Sequence, residues 1–73
     1  MKDVEEIRTR LAALPRLLTL QQAAGELGLS PWTLRRVVWN GELPHIRIGG
    51  AIRIDKNDVE AWLERLKRRG PDI

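Results

Sequence analysis

The stretch Gly28-Leu29-Ser30-Pro31 stops one helix and starts another. Glycine accepts the left-handed backbone that commonly closes a helix. Ser30 offers a side-chain oxygen to the free N–H groups of the next helix, and Pro31 suits its first position, where a missing N–H is no loss. No straight helix can run through this joint. Upstream, Thr19 with Gln22 three residues later has the capping-box pattern, and Leu20, Ala23, Ala24 and Leu27 form an inward stripe. Downstream, Leu34, Val37 and Val38 make a second stripe that Gly41 ends. Two short helices must therefore cross through the turn Gly28-Leu29-Ser30.

Around this helix-turn-helix lie three further segments. "KDVEEIRTRLAAL" reads as a helix capped by Asp3, with Val4, Ile7, Leu11 and Leu14 on one face and Pro15 as its stop. "HIRIGGAIRI" alternates Ile46, Ile48, Ile52 and Ile54 with His45, Arg47, Ala51 and Arg53 about Gly49-Gly50, a strong hairpin signal. The isoleucines are expected to face the core, with Arg47 and Arg53 as neighbours on the open face. "DKNDVEAWLERLKRR" reads as a last helix capped by Asp55, with Val59, Trp62, Leu63 and Leu66 inward, a cationic end at Arg65, Lys67, Arg68 and Arg69, and Gly70-Pro71 as its stop. The predicted fold is mainly α with a small β-hairpin: residues 16–69 form a helix-turn-helix with a wing. Residues 1–15 form an added helix for packing or oligomerisation, and 70–73 a tail.

At 73 residues the chain is one small domain. Without cysteine it has no disulfide and no thiolate metal site, and a single histidine, His45, argues against structural zinc. Its one serine, Ser30, caps a helix, and its Gly-Gly pair lies in a hairpin, not in a phosphate loop. No enzyme activity, metal or cofactor is expected. No apolar run has membrane-spanning length and no signal peptide opens the chain, so no membrane partner and a cytoplasmic location are expected.

Net charge is +3, unevenly spread: Arg35, Arg36, Arg47 and Arg53 face only Glu42 between residues 29 and 54. Such clustering suits a polyanion. On the helix 31–40, inward Leu34, Val37 and Val38 leave Trp32, Thr33, Arg35, Arg36, Trp39 and Asn40 outside. A helix of this kind fits the major groove of double-stranded DNA. Thr33 can touch a thymine methyl or a phosphate. Trp32 can pack on sugar or a thymine methyl, or else cover the edge of the core. Arg36 is the first choice for a bidentate contact to guanine, and Arg35 for the same or for a phosphate; the plainer alternative pairs them with Glu26, Glu42 or an acid of the last helix. Trp39 is expected to close the core against the last helix, with an outward place on the DNA-facing side as the alternative. Arg47 and Arg53 would give the wing its phosphate contacts.

From Leu18 to Leu63 the chain resembles the excisionase-type winged helix-turn-helix family, related to the DNA-binding domain of MerR regulators. The likeness rests on Leu18-Thr19 before Ala23-Ala24, Leu27-Gly28-Leu29-Ser30 at the turn and Thr33-Leu34-Arg35-Arg36 in the second helix. It continues through Gly41-Glu42-Leu43-Pro44, Arg47-Ile48-Gly49-Gly50, Arg53-Ile54 and "DVEAWL". The resemblance implies that Thr33, Arg35 and Arg36 face DNA, that Gly49 and Gly50 bring the wing (45–54) to the adjacent groove or backbone, and that the helix start at Thr19 meets a phosphate. It implies an excisionase-like recombination factor or a small transcriptional regulator. Two positions depart from the pattern: Ala51 stands where a basic residue is common, and Trp39 where a polar or basic one is. One recognition helix and wing bury little surface, so a homodimer, a cooperative oligomer on DNA, or a recombinase or other protein partner is expected. A protein-interaction module on the same fold is the alternative, with the tryptophans as anchors.

Overall fold

In a computed structural model, residues 4–67 are described; Asp3, Arg68, Arg69, Gly70-Pro71 and the 70–73 tail fall outside them. Four helices, α1 (Val4–Ala12), α2 (Leu20–Leu27), α3 (Pro31–Trp39) and α4 (Lys56–Leu66), surround strands β1 (Leu17–Leu18), β2 (Ile46–Ile48) and β3 (Ala51–Asp55). The strands form an antiparallel sheet in the order β1-β3-β2. The fold is mainly helical with a winged helix-turn-helix at its centre.

The local signals act as their chemistry requires. Thr19 Oγ1 accepts from the Gln22 backbone at 3.0 Å, and Gln22 Oε1 accepts from the Thr19 backbone at 2.9 Å. Gly28 takes φ 73°, which lets Leu29 N–H close on the Ala24 carbonyl at 2.9 Å. Ser30 Oγ accepts from Thr33 N at 3.1 Å and so starts α3.

α1 ends at Ala12, short of Leu14 and Pro15. Ala13 and Leu14 donate to carbonyls three residues back, which tightens the last turn. Lys56 then reaches across from α4: its Nζ donates to the carbonyls of Leu11 at 3.0 Å and Leu14 at 2.7 Å. A cation thus satisfies the negative end of α1. Ile7 and Leu11 are fully buried in one core with Leu18, Leu27, Leu34, Leu43, Ile54 and Val59. The apolar face of α1 is therefore used within the chain. Arg8 pairs with Glu60 and Glu64, and Arg10 with Glu26, along its flanks.

The structure departs from the expected elements at three places. Leu66 is 50% exposed and leaves the inward stripe of α4 to Val59, Trp62 and Leu63. β1 was not expected; Leu18 pairs with Ile54 and Leu17 with Asp55. The hairpin phase is also different. Ile46 lies opposite Arg53, Arg47 opposite Ile52, and Ile48 opposite Ala51. Opposed residues share a face. Ile46 and Ile48 therefore stand on the face of Arg53, while Arg47 stands on the face of Ile52 and Ile54. Only Ile54 enters the core; Ile48 is 55% exposed. Arg47 and Arg53 are not cross-strand neighbours, because a two-residue turn inverts the alternation.

Asp55 joins the sheet to α4. It caps the helix by accepting from Asn57 N at 2.8 Å, and it accepts from Arg16 Nε at 2.8 Å. The Asn57 N–H, then the Arg16 guanidinium, hold its carboxyl below the usual carboxylate range. A lowered folded pKa contributes stability that is full above the unfolded value, near 3.8, and is lost as pH falls through the folded value. Thermal unfolding below pH of about 4 should therefore weaken the native chain more steeply than Asp55→Asn. Parallel curves would show that Asp55 is not the source.

Among the described residues no helix is long and apolar enough to cross a membrane.

Candidate nucleic-acid interface

α2, α3 and the hairpin border one open cleft. Thr19, Leu20 and Gln21 line it from the start of α2, Pro31 and Arg35 from α3, and Gly50, Ile52 and Arg53 from the hairpin. Four residues singled out in the sequence, Thr19, Arg35, Gly50 and Arg53, thus meet in space. The lining carries two arginines and no acid. The first N–H groups of α2 add the partial positive charge of a helix start. Arg53 is half-buried, and its Nη1 donates to the Ile52 carbonyl at 3.0 Å, which draws the guanidinium back along its own strand. Gly49 takes φ 59°, the left-handed value that the first position of this tight turn needs. It stands exposed at the tip, with Arg47 exposed on β2.

α3 presents the second part of the surface. Leu34 and Val38 are buried, so at about 100° per residue Arg36 points almost directly away from the core. Thr33 is exposed and shares a 2.9 Å hydrogen bond between its hydroxyl and that of Ser30. Trp32 and Trp39 are 59% and 64% exposed. Neither covers the core. Trp39 projects from the outer side of α3, seven residues from Trp32, and so cannot close the core against α4. The two rings meet edge to face, with centroids 6.0 Å apart and planes at 81°. The Arg35 Cζ lies 5.7 Å from the Trp39 centroid.

The alternative acid partners of Arg35 and Arg36 do not pair with them. Glu26 pairs with Arg10, and Glu42 forms no ion pair among the described residues; only its backbone carbonyl is used, accepting from Arg65 Nη2 at 2.8 Å. Among the described residues neither Arg35 nor Arg36 forms an ion pair. Gln21 was not singled out in the sequence, although its place two residues after a helix cap is a readable sign of exposure at the α2 start.

Residues 17–67 match the family described as a helix-turn-helix domain. The chain belongs to this excisionase-type helix-turn-helix family. The excisionase of Mycobacterium phage D29 is 39% identical to it, over 68% of this chain and 91% of the phage protein. A Mycobacterium tuberculosis H37Rv protein whose name proposes DNA binding is 38% identical over 71% of this chain and 67% of its own length. An uncharacterized protein of the same strain is 44% identical over 75% of this chain and 48% of its own length. The family match contains every residue of the cleft and of α3, and leaves α1 outside.

Proposed function

We propose that this helix-turn-helix chain binds double-stranded DNA sequence-specifically, with α3 in the major groove and the 45–54 hairpin against the neighbouring backbone or minor groove. The observation that carries this reading is the acid-free cleft, where Arg35 and Arg53 meet the start of α2 beside the outward face of α3. Phosphate contacts at Thr19 and Arg53 would set register, and base contacts from α3 would set sequence. Arg36, aimed straight out, suits a bidentate contact to guanine; Thr33 and Trp32 suit sugar, phosphate or a thymine methyl. Trp39 offers the groove a ring where a basic residue would offer charge. Ala51 leaves the wing without a cation past its tip, so the wing acts mainly through Arg47 and Arg53.

The chain would act by occupying a site, without chemistry of its own, as an excisionase-like recombination factor or a small transcriptional regulator in the cytoplasm. The phage excisionase and the mycobacterial protein whose name proposes DNA binding support this role. A second copy on adjacent DNA or a recombinase partner would add the surface that one small module lacks. Because the Ile7–Leu11 face of α1 is buried, that partner would dock elsewhere.

The test is an NMR titration of labelled protein with a random duplex of about 20 base pairs at low, then moderate, salt. Shifts are expected at Thr19 to Gln21, Trp32 to Arg36 and Gly49 to Arg53, and they should fade as salt rises. Amides that stay still at low salt would end the DNA reading. The exposed Trp32–Trp39 pair would then favour a protein partner, whose binding is expected to resist salt.

A further inference from the structure

We propose that Trp39 is a positioning residue for Arg35, holding its guanidinium ready against the outward surface of α3, and that Arg35 thereby contributes to sequence selection and does not serve only as a phosphate contact. This rests on the DNA reading above and assigns a task to a residue that lies one turn beyond the cleft.

Trp32, Arg35 and Trp39 stand three and four residues apart along α3, the spacings that bring helical side chains together. Arg35 sits over the Trp39 ring with Cζ 5.7 Å from its centroid, and the Trp32 ring meets Trp39 at 81°. Both rings remain well over half exposed, so burial in the core does not account for them. What they do in the isolated chain is make a surface for a cation. The means of ordering decides what the arginine can still do. A carboxylate partner would fix Arg35 but would take up its N–H donors and cancel its charge. An aromatic ring attracts the guanidinium through its π face and leaves the planar donor fork and the charge available. An arginine already confined to one region loses less freedom when it docks, and such pre-ordering favours the ligand whose acceptors match its plane. Arg35 also lines the cleft, together with Pro31 and the hairpin residues Gly50, Ile52 and Arg53. Arg36 has no ring partner among the described residues.

The experiment compares Trp39→Ala and Trp39→Phe with the native protein on two probes. One is a 20-base-pair duplex selected by the native protein from a randomised pool; the other is an unselected duplex of equal length. Trp39→Ala is expected to lose about two- to fivefold in affinity for the selected duplex and less than twofold for the other. Trp39→Phe, which keeps a ring, should retain most of the native preference. In an Arg35→Ala background Trp39→Ala should cause no further loss of preference, because the two act as a unit. Equal losses on both duplexes, or independent effects of the two substitutions, would overturn the proposal. NMR of the free protein supplies a readout that needs no DNA. Arg35 side-chain protons should be shifted upfield by the Trp39 ring and return to ordinary positions in Trp39→Ala, with Tm unchanged; ordinary positions in the native protein would overturn the positioning role. If the native protein binds neither duplex, the DNA reading fails and the selection role falls with it, while the ring shifts still decide whether Trp39 orders Arg35.

Discussion

Leu11→Ala is expected to destabilise the chain by about 2–5 kcal/mol in urea unfolding, in one cooperative transition. Leu11 is fully buried, although it belongs to the helix outside the family match. Removing its side chain leaves a cavity against the common core, and the surrounding helices can close it only in part. A small domain has total stability of only about 5–15 kcal/mol, so the loss should be obvious at room temperature. Leu66→Ala makes the control. Leu66 is half exposed at the end of α4, and its truncation should cost less than about 1 kcal/mol. If Leu11→Ala were as mild as Leu66→Ala, α1 would be a loosely attached appendage held only by surface ion pairs such as Arg8–Glu60, which are each worth about 0–1 kcal/mol. A large loss makes α1 an integral wall of the domain.

Arg36→Ala is expected to weaken binding to the selected duplex by about 1–3 kcal/mol and to have a much smaller effect on unselected DNA. Arg36 points away from the core and has no acid partner among the described residues, so its whole hydrogen-bonding fork is available to a base edge. Arg53→Ala should behave differently. Arg53 belongs to the wing and lines the cleft beside the α2 start. Its loss should weaken binding to all sequences alike and reduce the salt dependence by about one phosphate contact. Affinities of both variants, measured at three salt concentrations on both duplexes, separate the roles. A uniform loss for Arg36→Ala would make it a second phosphate contact, and no loss would remove it from the interface.

The parts legible in the sequence are those governed by neighbours a few residues apart. The Thr19–Gln22 box, the Ser30 and Asp55 caps and the Gly28 stop all act within a few residues; the box appears with its predicted partner and the caps and stop stand at their predicted positions. What distance along the chain hides is β1: Leu17 and Leu18 have no strand pattern of their own and become a strand because Ile54 and Asp55 lie beside them. Lys56 shows the same limit, for nothing in "DKND" announces that it will bind carbonyls some 40 residues earlier. The hairpin phase is itself encoded locally. Residues opposed across Gly49-Gly50 pair even numbers with odd, so four even-numbered isoleucines could not share a face. Trp39 stands outside the core for another reason. Hydrophobic character predicts burial only in one direction, and a ring on the outer face of a basic helix is the informative exception. In the candidate site, the outward set of α3 followed from helical period alone. The meeting of Thr19, Arg35, Gly50 and Arg53 depended on the sheet that brings the hairpin against α2.

The central place of β3 has a mechanical consequence. Ile54 is sunk in the core, and Asp55 next to it is tied to Arg16 and α4, so the root of the hairpin cannot pivot freely. From Ile54 the strand runs out to Gly50, a length of about 13 Å at the usual strand rise. The hairpin thus projects from an anchored root across the cleft that it shares with α3, and the two stand as the jaws of a caliper. A duplex would be gauged by its width as well as by its bases, and narrow or distorted grooves would fit the jaws differently from regular ones.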